Sequence, residues 1–127
     1  MISERVLKSY ENDIKIHCIR PATVCGFSPR MRFDLVINLF TAQAIKEGKI
    51  TVFGGKQNRP FLHVDDAAES IVFGIEKNLT GTYNVISENL TLLQAAEKVS
   101  KITGCEIQIK TEVEDERHYN VSADKLS

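Results

Sequence analysis

The chain has 127 residues, which is long enough for one domain with a buried core. Hydrophobic residues make up 43% and charged residues 26%, an ordinary balance for a globular protein. The formal net charge of -1 gives no reason to expect a nucleic acid or a membrane as partner. No apolar run approaches the ~18 residues of a membrane-spanning helix, and no signal-peptide pattern opens the chain. We therefore expect a cytoplasmic location.

The three cysteines, Cys18, Cys25 and Cys105, form an odd set without C-x-x-C spacing. Such a set predicts reduced thiols. His17 with Cys18 and Cys25 would make a ligand-poor zinc site, and ordinary packing is the preferred interpretation of these residues. We therefore predict no metal site.

The first half of the chain alternates between helical and strand periodicity. Ser3 can cap a helix that runs to about Glu11, and Ile14–Ile19 alternates as a strand does. Residues 20–30 include proline and glycine and predict a loop. The remaining predictions are a helix over Phe33–Glu47 that stops at Gly48, a strand over Ile50–Phe53 and a polar turn over Gly54–Arg59.

The second half contains the clearest helix, predicted to begin at Asp65 or Asp66, where carboxylates favour the helix dipole. Thr91 and Gln94 have the spacing of a capping box for another helix, which Gly104 ends. Helices and strands alternate throughout, so the predicted class is α/β. Further features are an apolar stripe on the first of these helices (Ala67, Ala68, Ile71, Val72 and Ile75) and strands over Thr82–Ile86 and around Ile107 and Ile109.

Five segments, in order along nearly the whole chain, carry a resemblance to a known family. They are Ile19–Gly26 with Arg20-Pro21, Ile50–Ala68 with the run R-P-F-L-H-V-D-D-A-A, Gly81-Thr82-Tyr83-Asn84-Val85, Thr91–Gly104, and Asp115–Leu126. These segments resemble the extended short-chain dehydrogenase/reductases that act on nucleotide sugars, the NAD-dependent epimerases and dehydratases. Any one segment is a weak signal, and five in order are a strong one.

The resemblance implies a Rossmann-type fold with a smaller C-terminal α/β domain that closes over a nucleotide sugar. It places this chain in the C-terminal, substrate-binding part, with the last helix and strand of the Rossmann sheet at its N-terminus. Residues 1–26 would be the remnant of the NAD(P)-binding domain, and residues 27–127 the nucleotide-sugar-binding domain. The reaction implied for the whole protein is transient oxidation of a sugar hydroxyl by NAD or NADP, followed by epimerisation or dehydration.

Two motifs of the family are absent from the sequence. One is the G-x-x-G-x-x-G loop that holds a dinucleotide pyrophosphate, and the other is the Tyr-x-x-x-Lys pair that moves a proton. Tyr10, Tyr83 and Tyr119 have no lysine four residues on. We therefore expect the chain to begin just after the family's catalytic lysine, to bind no NAD or NADP by itself and to contain no catalytic residue.

The resemblance also assigns substrate-binding residues. Arg59 and Arg117 would face the diphosphate of the nucleotide sugar, since a guanidinium offers paired donors to phosphate oxygens. Val52 and Phe53 would border the base, with core packing as an equally good account. Arg32 precedes a predicted helix, where a cation opposes the dipole, and either a bound anion or a solvated loop explains it. The alternative for Arg59 and Arg117 is a surface role.

Pro21 and Thr23 are assigned to the cofactor side of the site. Thr23 stands where many relatives carry Asn, near the sugar and the nicotinamide, and its hydroxyl can hydrogen-bond either partner or its own backbone. Cys25 replaces a usual tyrosine, and packing is the preferred role. His63 and the two aspartates that follow it are interpreted as structural residues at a helix start.

The expected partners are a nucleotide-diphosphate sugar and the missing N-terminal Rossmann part. Without that part, the N-terminal helix and the strand over Ile14–Ile19 would leave apolar surface and a strand edge uncovered, which predicts self-association. The alternative function is a non-catalytic binding or regulatory protein on a degenerate dehydrogenase scaffold.

Overall fold

The computed structural model describes residues 2–111 and 119–125. Helices and strands alternate in this part of the chain. The helices are α1 (Ile2–Lys8), α2 (Val36–Glu47), α3 (Val64–Glu76) and α4 (Leu92–Thr103). The strands are β1 (His17–Pro21), β2 (Thr23–Cys25), β3 (Lys49–Phe53), β4 (Asn58–His63), β5 (Gly81–Val85), β6 (Glu88–Thr91) and β7 (Glu106–Lys110). The α/β class predicted from the sequence is confirmed.

The strands form three small sheets with mostly parallel pairing. β1 pairs with β5 in parallel, with Ile19 opposite Tyr83. β2 and β4 are parallel, and β6 runs antiparallel to β4 on its other side. β3 pairs with β7 in parallel, with Val52 opposite Ile109. The parallel pairs join segments far apart in sequence, which is typical of α/β proteins.

The hydrophobic core lies between α2, α4 and the strand β3. Ile50 and Val52 of β3 are fully buried, and Phe40 of α2 and Val99 of α4 pack into the same cluster. Ala95 and Ala96 are also fully buried, because small side chains let α4 approach α2 and β3 closely. This core belongs to the region after residue 26 and supports the strands that carry the candidate site.

Local sequence signals define the ends of α2 and α4 as predicted. Thr91 Oγ1 accepts a hydrogen bond from Gln94 N, and Gln94 Oε1 accepts one from Thr91 N, which completes the capping box. Gly48 and Gly104 follow the two helices in the left-handed conformation that favours glycine. α2 begins at Val36, later than the Phe33 predicted from its periodicity.

The start of α3 differs from the prediction. His63, rather than an aspartate, is the N-cap, and its Nδ1 accepts a hydrogen bond from Asp65 N at 3.3 Å. Asp65 and Asp66 therefore lie in the first turn, where their charges still favour the helix dipole. The Asp66 carboxylate instead accepts a hydrogen bond from Ser87 Oγ at 2.5 Å, which ties α3 to the chain after β5.

The buried side of α3 is formed by small residues. Ser70 and Gly74 are buried, whereas Ile71, Val72 and Ile75 are between 51% and 70% exposed. The His17 imidazole of β1 occupies the space where a side chain at Gly74 would lie, and its ring meets Tyr83 edge-on at 5.4 Å. α3 thus packs against β1, β2 and β4 through its small face and presents apolar residues outward.

The N-terminal elements are shifted from their predicted positions. α1 ends at Lys8 instead of Glu11, and β1 begins three residues after the predicted Ile14. The Glu4 carboxylate receives two hydrogen bonds from the Arg20 guanidinium, at 2.7 and 2.6 Å, which hold α1 beside β1. The same contact lowers the pKa of Glu4 to about 2. No residue of α1 is buried, and the Glu4–Arg20 ion pair links this helix to β1.

Candidate functional site

A cleft of about 490 Å³ opens between the end of β2 and the start of α2. We call it the β2–α2 cleft, and its lining includes Thr23, Cys25, Gly26, Arg30, Arg32 and Asn38. It joins one residue assigned to the cofactor side, Thr23, with one assigned to the substrate, Arg32. The cleft forms because β2 ends in the glycine-containing loop that connects it to α2.

Asn38 organises this cleft and was not identified from the sequence. It is 7% exposed, its Nδ2 donates to the Arg32 carbonyl at 3.0 Å, and its Oδ1 accepts from Gly26 N at 3.3 Å. One buried amide therefore holds both ends of the loop over residues 26–32. A polar residue between two apolar neighbours in a predicted helix, Ile37 and Leu39, was the available signal.

The anion beside Arg32 is Asp34. Arg32 Nε and Nη2 donate to the two carboxylate oxygens of Asp34 at 3.1 and 2.5 Å, and both side chains are exposed. These hydrogen bonds lower the pKa of Asp34. Arg32 lies four residues before α2, because the helix begins only at Val36. A phosphate ligand at Arg32 would have to share this guanidinium with Asp34 or displace it.

Arg59 lies on β4, directly after the turn at Gly54–Gln57. Its side chain is half-buried, and Nη1 donates to the Asn58 carbonyl at 3.0 Å. The guanidinium carbon lies 5.2 Å from the centre of the Tyr119 ring, within the range of a cation–π contact. Arg59 is thus a partly sheltered cation held at a strand rather than a freely moving surface side chain.

The pair Val52 and Phe53 is divided between the core and the surface. Val52 is fully buried in the core cluster, so its side chain has the packing role. Phe53 is 47% exposed at the end of β3, and the Lys110 ammonium lies 5.9 Å from the centre of its ring. Of the two, only Phe53 presents apolar surface to a ligand.

Two further residues that the sequence assigned to the site, Pro21 and Arg117, are not part of the β2–α2 cleft as described. Pro21 is exposed at the end of β1, opposite Val85, and does not line the β2–α2 cleft. Arg117 lies outside the described residues. The structure therefore brings Thr23 and Arg32 together and places Arg59 on the neighbouring strand β4, two residues from the partner of Thr23 in the β2–β4 register.

Cys25 borders the β2–α2 cleft in a partly buried position. Burial raises the pKa of its thiol, and the nearby carboxylates of Asp66 and Glu88 add to this effect. Its Sγ lies 3.6 Å from the Leu62 carbonyl. A protonated, sheltered thiol is a poor nucleophile, which agrees with the packing role expected for Cys25.

The glycine turn at Gly54 and Gly55 does not fit the pyrophosphate of a dinucleotide. Such a site needs backbone N–H groups left open by glycines at a helix start. The turn at Gly54 and Gly55 is instead filled by Gln57, whose buried side chain accepts from Gly55 N at 2.8 Å. A Cβ at Gly54 would lie 2.6 Å from Gln57 Nε2, so the space is occupied by the protein itself.

Two negative findings concern residues 2–111 and 119–125 alone. No group of three or more His, Cys, Asp or Glu side chains there could hold a metal ion. No helix there has the length and apolarity that crossing a bilayer requires.

Parallel β pairs connected through helices, with a cleft at the end of β2, define this part of the chain as a Rossmann-type α/β structure. The family model of the NAD dependent epimerase/dehydratase family matches residues 1–86. The chain belongs to this family.

Several curated relatives of similar sequence are enzymes from the plant Arabidopsis thaliana. UDP-glucuronic acid decarboxylase 1 of Arabidopsis thaliana is 34% identical over 98 residues, which cover 72% of this chain and 22% of that protein. UDP-glucuronic acid decarboxylase 3 of the same plant is 33% identical over 114 residues, covering 86% of this chain and 33% of that protein. The chain thus spans about a fifth to a third of the length of these relatives.

Solved structures share the fold over nearly the whole chain. UDP-N-acetylglucosamine 4-epimerase from Methanobrevibacter ruminantium, in complex with UDP-N-acetylmuramic acid, aligns with a TM-score of 0.80 at 22% identity, covering 97% of this chain and 43% of that one. UDP-glucuronic acid 4-epimerase from Bacillus cereus, in complex with UDP-glucuronic acid and NAD, aligns with a TM-score of 0.71 at 26% identity, covering 96% and 41%. The Rossmann-type architecture inferred from the sequence is therefore confirmed.

Proposed function

We propose that this chain is the C-terminal, nucleotide-sugar-binding part of an NAD-dependent epimerase or dehydratase. The whole protein would be a cytoplasmic isomerase or lyase that oxidises a sugar hydroxyl transiently. Residues outside this chain would bind NAD or NADP and move the hydride and proton, because the glycine loop and the Tyr-x-x-x-Lys pair are absent from the sequence.

The observation that carries the proposal is the placement of Arg59. It is a half-buried cation on a strand, it follows a closed glycine turn, and an aromatic ring shelters one face of its guanidinium. A guanidinium in partly desolvated surroundings binds a diphosphate more strongly than one in open water. Arg32 and Thr23, in the cleft beside β4, would contact the sugar end of the same ligand.

The ligand class is a UDP-sugar with an acidic sugar. The curated relatives are named for UDP-glucuronic acid, and so is the solved epimerase that is 26% identical. Phe53, which is exposed beside the turn, would offer an apolar surface to the uracil.

We further propose that the chain contains parts of two domains. Residues 1–26 would belong to the Rossmann domain and residues 27–127 to the nucleotide-sugar domain. β5 is an exception within the second region, because it pairs with β1 and so extends the same sheet. The Rossmann sheet would therefore receive strands from two separate stretches of this chain.

Titration of the chain with two ligands tests the proposal. We expect UDP-glucuronic acid to bind and NAD to give no heat of binding, because Gln57 fills the glycine turn and the sequence contains no G-x-x-G-x-x-G loop. Isothermal calorimetry on the same preparation measures both. Micromolar NAD binding, or the absence of UDP-glucuronic acid binding up to millimolar concentration, would contradict the proposal.

We also expect the chain to self-associate as two copies. Within the described residues β1 has a strand neighbour on one side only, and Ile71, Val72 and Ile75 of α3 lie exposed. An open strand edge beside apolar surface favours pairing with a second copy. Sedimentation at increasing concentration should show a dimer, and replacing Ile71 and Ile75 by lysine should shift it to monomer. A monomer for the unmodified chain at millimolar concentration would contradict this expectation.

A further inference from the structure

The segment over residues 119–125 crosses back to the strands β5 and β6, and we call it the C-terminal strap. Its central contact is with Asn89 of β6. Asn89 Nδ2 donates to the Val121 carbonyl at 2.9 Å, and Val121 N donates to Asn89 Oδ1 at 3.1 Å. One side-chain amide therefore satisfies both backbone groups of Val121, as a neighbouring strand would. The planar amide of an Asn or Gln side chain can donate and accept in this way at the same time.

Two other contacts hold the strap along β5. Asn84 Nδ2 donates to the Ser122 carbonyl at 3.1 Å. Lys125 Nζ donates to the Thr82 carbonyl at 3.1 Å and lies 4.6 Å from the centre of the Tyr83 ring. The strap is thus attached at three successive points. Of these three points, the one at Val121 lies nearest to Tyr119 along the chain, with only Asn120 between the two residues. Val121 is the residue that Asn89 binds.

The register of the sheet connects Asn89 to Arg59. β6 runs antiparallel to β4, with Leu90 opposite Arg59 and Asn89 opposite Pro60. Asn89, which anchors the strap, is therefore the neighbour in β6 of Leu90, the residue that pairs with Arg59. At the other end, the Tyr119 ring of the strap lies 5.2 Å from the Arg59 guanidinium.

We propose that Asn89 is a positioning residue for Arg59: it anchors the strap at Val121 and so keeps the Tyr119 ring against the guanidinium. Asn89 itself is exposed and would not touch the ligand. Its effect on UDP-sugar binding rests on the proposed function, whereas its effect on the shelter of Arg59 does not. An ordered guanidinium loses less conformational freedom on binding a diphosphate, which is the physical benefit of the anchor.

The shelter of Arg59 can be measured directly in the full chain. Phenylglyoxal modifies accessible arginines, and peptide mass spectrometry gives the rate at Arg59, with exposed Arg5 of α1 as the internal reference. We expect Asn89→Ala and Tyr119→Ala to speed modification of Arg59 by about three- to tenfold without changing the rate at Arg5. Asn89→Asp keeps the acceptor for Val121 N, so its effect should be intermediate. Thermal unfolding confirms that each variant is folded.

Unchanged modification of Arg59 in Asn89→Ala, or equal acceleration at Arg59 and Arg5, would overturn the proposal. If Asn89→Ala does not fold, the rate of Arg59 modification in Asn89→Asp tests the proposal instead. Calorimetric titration with UDP distinguishes the positioning role of Asn89 from the proposed function. We expect Asn89→Ala to weaken UDP binding by about threefold. If Arg59→Ala binds UDP as the unmodified chain does while Asn89→Ala still exposes Arg59, the anchor stands and the proposed function fails.

Discussion

Arg59→Ala is expected to weaken the binding of UDP-glucuronic acid by about ten- to a hundredfold. A charge-assisted hydrogen bond to a phosphate oxygen contributes about 1.5–3 kcal/mol, and every 1.4 kcal/mol corresponds to about tenfold in affinity. Arg59→Lys should recover only part of the loss, because an ammonium cannot present two parallel donors. Calorimetric titration of the three proteins measures the effect.

Arg5→Ala is the matched control for this prediction. It removes the same charge from an exposed position on α1, distant in sequence from the candidate site, so it should leave the affinity unchanged. Equal weakening by the two substitutions would indicate a general charge effect, and unchanged binding by Arg59→Ala would mean that Arg59 is a surface residue. In either case the assignment of Arg59 to the diphosphate would be wrong.

Gly74→Ala is expected to lower the free energy of unfolding by about 2–3 kcal/mol and the melting temperature by on the order of 10 °C. Alanine normally favours a helix over glycine. Here, however, the new Cβ would lie 1.6 Å from His17 Cε1 and 2.1 Å from His17 Nδ1. Either α3 must move away from β1 or the imidazole must leave its position. Thermal unfolding followed by circular dichroism measures the outcome.

Two further variants identify the cause. Gly48→Ala meets open space but keeps a left-handed backbone, so it should cost only about 1 kcal/mol. His17→Ala should rescue Gly74→Ala in the double variant, because removing the imidazole removes the clash and the buried Nε2 that has no hydrogen-bond partner among the described residues. A Gly74→Ala protein as stable as the unmodified chain would contradict the close packing of α3 on β1.

Features predicted from local sequence were confirmed where the signal itself was local. The capping box at Thr91 and Gln94 and the glycines that end α2 and α4 depend on residues within one helical turn of each other. The strand over Ile50–Phe53 was also correct within one residue, because its β-branched side chains are suited to a buried strand.

Other strands were missed because their partners create them. β4 contains Pro60 and no β-branched residue, and it is a strand because β2 and β6 lie on its two sides. β2 has only three residues, and it lies in a segment predicted to be a loop. Such strands depend on pairing between distant segments, which no short window of sequence contains.

The candidate site shows the same division. Sequence alone pointed to Arg59 as a candidate through a family motif, but it did not identify the roles of Tyr119, Asn89 and Asn38. Their roles depend on contacts over 60, 32 and 12 residues of chain, respectively. The apolar stripe on α3 was recognisable in sequence, yet only the structure shows that the helix packs through Ser70 and Gly74 instead.

By itself, the sequence determined the α/β class, the family and the absence of the cofactor loop and the tyrosine–lysine pair, because each is a matter of residue order or short-range periodicity. The tertiary structure alone decided that β5 joins β1 and that a strap shelters Arg59. These features arise where segments far apart along the chain meet, since backbone groups removed from water must find partners wherever the fold brings them.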